Sequence, residues 1–287
     1  MLIIITSRPT MLIKNSIINT ILLLSLIFFF GNTSYSNNSQ DREALERSLQ
    51  GSHRSEANRL RDKYRHPVET LTFFGVKPDS SVVEITPGRG WYSEILAPLL
   101  KDNGTFTAVI YDADLTDNAY LKKLNGFYKT KLSNSPKIYS NVQIEEINHK
   151  APVFDLNSSA DFVLTFRNVH NWAKSGTTDE MFRSFYKSLK TGGVLGVVEH
   201  RARAGTPISQ QIKSGYMTEQ FVIKTAEKAG FVFNSGSNIN NNSLDTKNHK
   251  NGVWTLLPVQ RGLSDKEKNV YAKIGESDRM TLKFVKP

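Results

Sequence analysis

Two short segments hold most of the side chains in this sequence that could do chemistry. Arg167-Asn168-Val169-His170-Asn171-Trp172 puts a guanidinium, two carboxamides, an imidazole and an indole within six positions. His170 has the residue type of a general base, because an imidazole titrates near neutral pH. Asn168 could hydrogen-bond an acceptor, and Trp172 could wall its pocket. Glu199-His200-Arg201 closes the apolar run VLGVVE. A charged triplet at the end of such a run is costly to bury unless its members are paired. His200 is then a second acid/base candidate, and Arg201 or Arg203 a holder of an anionic substrate. The plainer reading of both segments is a structurally hydrogen-bonded histidine and a Glu199 neutralised by a neighbouring arginine. Tyr216 and Glu219, where a later helical region begins, are candidates to cap the same pocket. Asp245, Lys247, His249 and Trp254 read as a lid over it or as a solvated loop.

Other chemistries are excluded by composition. The 287 residues contain no cysteine, which removes disulfides, thiolate metal sites and cysteine nucleophiles. The six histidines show no H-x-x-x-H spacing, so no metal is expected. The net charge is +10, but the basic residues are scattered and do not interleave with aromatics as in a nucleic-acid module, so no nucleic-acid partner is expected.

The elements that must position these groups alternate. SVVEI (81–85) is a short buried strand, followed by a glycine loop and a helix over Trp91 to Leu100. TFTAVIY (105–111) is a second strand, and a polar helix covers Asp117 to Leu132. VQIEEI (142–147) and ADFVLTF (160–166) are the third and fourth strands. An amphipathic helix over Thr178 to Leu189 ends at a Thr191-Gly192-Gly193 cap. Val194 to Glu199 is a fifth strand, Thr218 to Ala229 a helix, Phe231 to Asn234 the start of a sixth strand, and RMTLKFV (279–285) the last. Helices are read within Asp41 to Tyr64, broken near Gly51, and over Pro67 to Phe74. NINNNS (238–243) reads as an exposed loop. Such alternation implies a mostly parallel sheet covered on both faces.

The loop after the first strand reads Glu84-Ile85-Thr86-Pro87-Gly88-Arg89-Gly90. Glycines between a strand and a helix N-terminus let backbone N–H groups approach a ligand closely. G-x-G-x-x-G is not completed, since Ser93 stands in the third place, which disfavours a dinucleotide. The stretch resembles motif I of class I S-adenosylmethionine-dependent methyltransferases, E/D-x-G-x-G-x-G. Glu84 takes the acidic place and Gly88 and Gly90 two of the glycines. Thr86 replaces the first glycine, a departure that narrows the space for the cofactor's amino-acid end. FRNVHNW, VEHRA, GYMTEQFVIKTAEKAGF and the closing DRMTLKFVKP extend the resemblance over residues 60–287. There the chain looks like a family of exported bacterial proteins grouped as predicted methyltransferases.

The resemblance implies a Rossmann-like α/β fold with a mostly parallel seven-stranded sheet, helices on both faces and additional N-terminal helices. It implies S-adenosylmethionine as cofactor, bound through Glu84, Thr86, Gly88, Gly90 and an acid after the second strand, here Asp112. Asn148 and His149 fall where adenine would lie, and Arg65 and His66 where N-terminal helices close over the cofactor. His170, His200 and Asn168 are the catalytic candidates, and Trp172, Arg201 and Tyr216 the substrate-binding ones. The acceptor is expected to be a small molecule or an envelope component. The alternative is a non-catalytic or repurposed member of the fold that binds another ligand.

Residues 1–36 read as a secretory signal peptide: Lys14, the apolar run IINTILLLSLIFFF and small residues at 34 and 36. Residues 37–75 then form a helical segment, and 76–287 the α/β domain with an insert near 238–278. The protein is expected to be exported, to the periplasm in a Gram-negative source. An uncleaved leader would be its one membrane attachment.

Overall fold

β-Branched runs that alternate between two faces set the strands of this fold. The computed structural model describes Leu2 and residues 39–287; the expected leader lies outside the described residues. The chain divides between Glu43 and Ala44 into two units. Residues 39–43 of the first are helical, and the second is described here.

In chain order its elements are α1 (residues 44–49), α2 (Glu56–Arg59), α3 (Asp62–Arg65), α4 (Pro67–Phe74), β1 (Ser81–Ile85), α5 (Ser93–Leu100), β2 (Thr105–Tyr111), α6 (Ala119–Ser133), α7 (Pro136–Tyr139), β3 (Val142–Ile147), β4 (Ala160–Phe166), α8 (Val169–Ser175), α9 (Thr178–Ser188), β5 (Leu189–His200), α10 (Ile208–Ser214), α11 (Glu219–Lys228), β6 (Val232–Ser237), α12 (Asp265–Ala272) and β7 (Arg279–Val285). The sheet order is β3-β2-β1-β4-β5-β7-β6. All pairings are parallel except those of β7, which runs antiparallel to β5 and β6. This is the seven-stranded, Rossmann-like arrangement that the resemblance leads one to expect.

Alternation along each strand divides the core into two layers. Val82, Phe106, Ala108 and Leu164 face one layer, with α4 and α5 over them. Val83, Val109, Val163, Leu195 and Leu282 face the other, with α8, α9 and α11. The two sheet edges are polar and partly exposed, VQIEEI on one side and VFNSGS on the other, which discourages pairing with other chains.

Proline 98 sits inside α5 and cannot supply the N–H that the Glu94 carbonyl would receive. The ring of His53 supplies it instead, with Nε2 donating to Glu94 O at 2.8 Å. The segment ahead of β1 is thereby tied to the helix that follows the glycine loop.

Two local expectations are corrected. The helix α9 ends at Ser188, because Leu189 is pulled into the sheet, where it pairs with Ala160. Gly192 and Gly193 therefore belong to an irregular stretch of β5 and do not cap a helix. NINNNS is anchored, not simply exposed. The Asn240 carboxamide is buried and donates to Thr70 and Thr281, and that of Asn242 donates to the Ile274 and Glu276 carbonyls. Among the described residues no helix is long and apolar enough to cross a membrane.

Candidate functional site

The chain leaves β1 towards β2 and β3, then returns to place β4 on the other side of β1. Such a switch point opens a crevice at the C-terminal ends of the strands. Here it holds a cavity of about 1030 Å³, at the upper end of the usual range for ligand pockets, roughly 300–1,000 Å³. Its walls come from α2 and α3, the loops after β1, β3 and β4, the ends of β2 and β5, α6, α8, the 252–259 segment and the start of β7.

Neighbouring strands β1 and β4 are each followed at once by a residue with left-handed backbone, Thr86 at φ 46° and Arg167 at φ 64°. Side chains rarely adopt that conformation, and for β-branched threonine it is an outlier. Strain of this kind persists only where the surroundings enforce it, typically at functional sites. The Thr86 N–H donates to Val109 O at 2.8 Å. Asn168 Nδ2 donates to the Ile85 carbonyl at 3.1 Å and to Thr165 Oγ1 at 3.2 Å. Asn168 is thus a positioning residue that clamps the loop, with its amide donors spent on protein. Replacing Thr86 by glycine relieves about 1–2 kcal/mol of strain and costs about 0.5–1 kcal/mol of backbone entropy. Thr86→Gly is therefore expected to match or slightly exceed wild-type stability in urea melts, and a loss above 2 kcal/mol would refute the strain.

The loop fits a bound cofactor. Thr86 Oγ1 is buried with no hydrogen-bond partner. Gly88, at φ 64°, presents open space where a Cβ would stand, whereas a Cβ on Gly90 would lie 3.0 Å from the Tyr128 ring. Gly88 therefore leaves room for a ligand, and Gly90 lets the helix pack against α6. Tyr111 and His149 line the far wall, and His149 Nδ1 is likewise buried without a partner.

The expected residues divide between the cavity and its surroundings. Thr86, Gly88, Asn168, His170 and His200 line it. Glu84 lies beneath the loop, where its carboxylate accepts from Ser93 Oγ at 2.7 Å. Burial raises its pKa to about 7 despite that bond. Asp112 does not line the cavity; it accepts from the Asp114 N–H at 2.7 Å in a turn. Trp172 packs against Phe182 and Phe185 in the core, and its Nε1 donates to Tyr111 Oη. Arg201 pairs with Glu219 and Asp278. Tyr216 is buried with Oη donating to Asp245, which also holds His249. None of the last three side chains lines the cavity, because each is consumed by a partner behind its wall. From the supposed lid only Trp254 reaches it.

His170 and Glu199 form a buried dyad. Nδ1 of His170 lies 3.0 Å from Glu199 Oε1, while the His170 N–H donates to Oε2 at 3.3 Å and the His200 N–H to Oε1 at 2.7 Å. The carboxylate fixes the Nδ1–H tautomer, so the Nε2 lone pair is left for the cavity. His200 is 5.3 Å from His170, ring to ring, and its Nδ1 is 2.5 Å from Ser277 Oγ. Burial, then the neighbouring His170 ring and the charges of Arg167, Arg279 and Arg65, push the pKa of His200 well down and keep it neutral. The ligand atoms of His170, Glu199 and His200 lie within 4.8 Å of one another. A metal ion there would have to displace the hydrogen bonds on both Glu199 oxygens and sit in the field of three arginines, so the arrangement favours a hydrogen-bonded base over a metal centre.

Arg61, Arg279, Glu276 and Tyr111 were not singled out from the sequence, yet all four line the cavity. The signal for two of them was Glu276-Ser277-Asp278-Arg279, a charged run opening an apolar strand, the same cost that marked Glu199 to Arg201.

No protein-family model matches the chain, and no curated protein is similar to it in sequence. Solved structures resemble it. The [4+2]-cyclase SpnF superposes with a TM-score of 0.52 at 15% identity, covering 83% of this chain and 86% of SpnF. A SAM-dependent methyltransferase from Aquifex aeolicus gives 0.47 at 18% identity, covering 68% and 91%. The glycopeptide N-methyltransferase MtfA complexed with sinefungin gives 0.49 at 11% identity, covering 79% and 93%. At these identities the likeness is one of fold.

Proposed function

We propose that the chain is an S-adenosylmethionine-dependent methyltransferase acting on a small molecule. The observation that supports it best is the open crevice between the Thr86–Gly90 loop and the Tyr111–His149 wall, with the His170–Glu199 dyad beside it. Trp91 does not fill that crevice: its indole is held by Arg65 and Arg54 and its Nε1 by the Asn58 carbonyl.

The cofactor would be held by the loop N–H groups and Thr86 Oγ1 at one end, and by Tyr111 and His149 at the other, where no carboxylate lines the wall. When bound, it supplies a methyl group on a sulfonium, transferred by in-line displacement. Asn168 keeps the loop in place, and His170 Nε2 takes the proton released by the acceptor. In the same proposal the enzyme works outside the cytoplasm, in the periplasm of a Gram-negative source; this rests on the leader-like residues 1–36.

Titration calorimetry of the whole chain with S-adenosylhomocysteine tests the reading. Micromolar binding is expected, weakened at least about tenfold in Gly88→Leu, whose side chain would enter the open space beside the loop. A folded wild-type protein that gives no heat at millimolar ligand would sink the cofactor assignment.

A further inference from the structure

Four guanidinium groups gather on the cavity wall: Arg61 and Arg65 from the segment before β1, Arg167 after β4, and Arg279 at the start of β7. One carboxylate serves them. Glu276 accepts from Arg61 Nε at 2.6 Å, from Arg65 Nε at 3.1 Å, and from Arg279 Nη2. Among the described residues the Arg167 side chain makes no hydrogen bond or salt bridge and feels Glu276 only at longer range, and Nη2 of both Arg61 and Arg65 is buried without a hydrogen-bond partner. Buried charges are ordinarily paired, so this cluster is left short of anionic charge. The cost is visible in the groups themselves. Burial, followed by the charge of Arg167, pushes the pKa of Arg65 well down, and burial takes Arg167 down to about 10.

The cofactor does not make good this shortfall. S-adenosylmethionine carries a carboxylate against an ammonium and a sulfonium, so it brings net positive charge into a cavity lined by six cationic side chains and one carboxylate. Arg279 Nε and His200 Nδ1 both reach Ser277 Oγ, at 3.4 and 2.5 Å, and His200 neighbours the proposed base. A group bound to them would therefore lie beside the reacting atoms.

We propose that this arginine cluster is an acceptor subsite for an anionic group, a phosphate or a pair of carboxylates, gripped by Arg167 with Arg61 and Arg65 beside it on the same wall. Guanidinium forks match such oxygens bidentately. The word acceptor rests on the methyltransferase reading; the anion site does not.

Calorimetry at fixed low ionic strength, with inorganic phosphate as probe, separates the two. Phosphate is expected to bind the wild type equally well with and without saturating S-adenosylhomocysteine. Arg167→Gln is expected to weaken phosphate binding about tenfold or more, the value of a charge-assisted pair. Because Arg167 makes no hydrogen bond or salt bridge within the protein, and its removal relieves repulsion from Arg279 and Arg61 along with the attraction to Glu276, the same variant should melt close to wild type in phosphate-free buffer. Competition between phosphate and S-adenosylhomocysteine would overturn the proposal, since the cluster would then hold the cofactor's own carboxylate. So would a wild type that binds no phosphate, or an Arg167→Gln protein that binds it unchanged. If phosphate binds and S-adenosylhomocysteine does not, the methyltransferase reading falls and the anion site stands.

Discussion

Replacing Glu276 by alanine is expected to cost about 3–5 kcal/mol, as removal of one partner from a buried ion pair does. Domains of this kind are stable by roughly 5–15 kcal/mol, so the variant should sit near the edge of folding at 37 °C. The reason is local: Arg61, Arg65 and Arg279 would lose their one shared carboxylate and face Arg167 unscreened. Urea midpoints measure the loss, and a change below 1 kcal/mol would refute the arrangement. Glu276→Gln adds the pH dependence. Burial alone would raise the Glu276 pKa, but Arg279, Arg65, Arg167 and Arg61 overcome it and hold the group well below the ordinary carboxylate range. A depressed folded-state pKa gives stability that is present above the unfolded value of about 4.5 and lost as pH falls further. The wild type should therefore lose its advantage over Glu276→Gln below that pH. Glu84 acts with the opposite sign. Its raised pKa, about 7, means that stability is lost as pH climbs from 4.5 towards 7, equally in both proteins, so the difference between them isolates Glu276.

The second large effect is catalytic. His170→Gln is expected to lower methyl transfer by about 10²–10⁴-fold, the usual contribution of a positioned general base, while leaving S-adenosylhomocysteine affinity within about twofold, since the ring touches acceptor and not cofactor in the reading above. Transfer of radiolabel from S-adenosylmethionine into small molecules of a cell extract provides the assay. Retention of wild-type labelling by His170→Gln would remove His170 from the chemistry. Glu199→Gln should reproduce the rate loss through the tautomer it no longer fixes.

What the sequence made legible was whatever depends on short-range pattern. The strand boundaries of β1, β2, β3, β4 and β7 follow from runs such as SVVEI and TFTAVIY, whose β-branched residues suit a buried sheet. The glycine loop was legible too, because spacing alone carries it. Side-chain direction was not. Trp172 and Asn168 stand four apart, near two histidines that do reach the cavity, yet the indole turns to Phe182 and Phe185 while the carboxamide clamps the neighbouring loop. Nor could one local segment reveal the arginine cluster, whose members lie as far apart as Arg61 and Arg279. Position 86 was legible as a departure but not as strain, since φ is a property of the folded loop.

The hydrogen bonds of Glu276 join side chains more than 200 positions apart, Arg61 and Arg65 at one end and Arg279 at the other. Contacts of such sequence separation form late, after the loop entropy has been spent. The anion site therefore depends on β7 lying between β5 and β6, which brings Arg279 to Arg61 and Arg65. An anion bound there acts as a non-covalent cross-link across nearly the whole described chain, raising its resistance to unfolding in proportion to the logarithm of ligand concentration. Cellular supply of the substrate would then set how long the protein lasts as well as how fast it works.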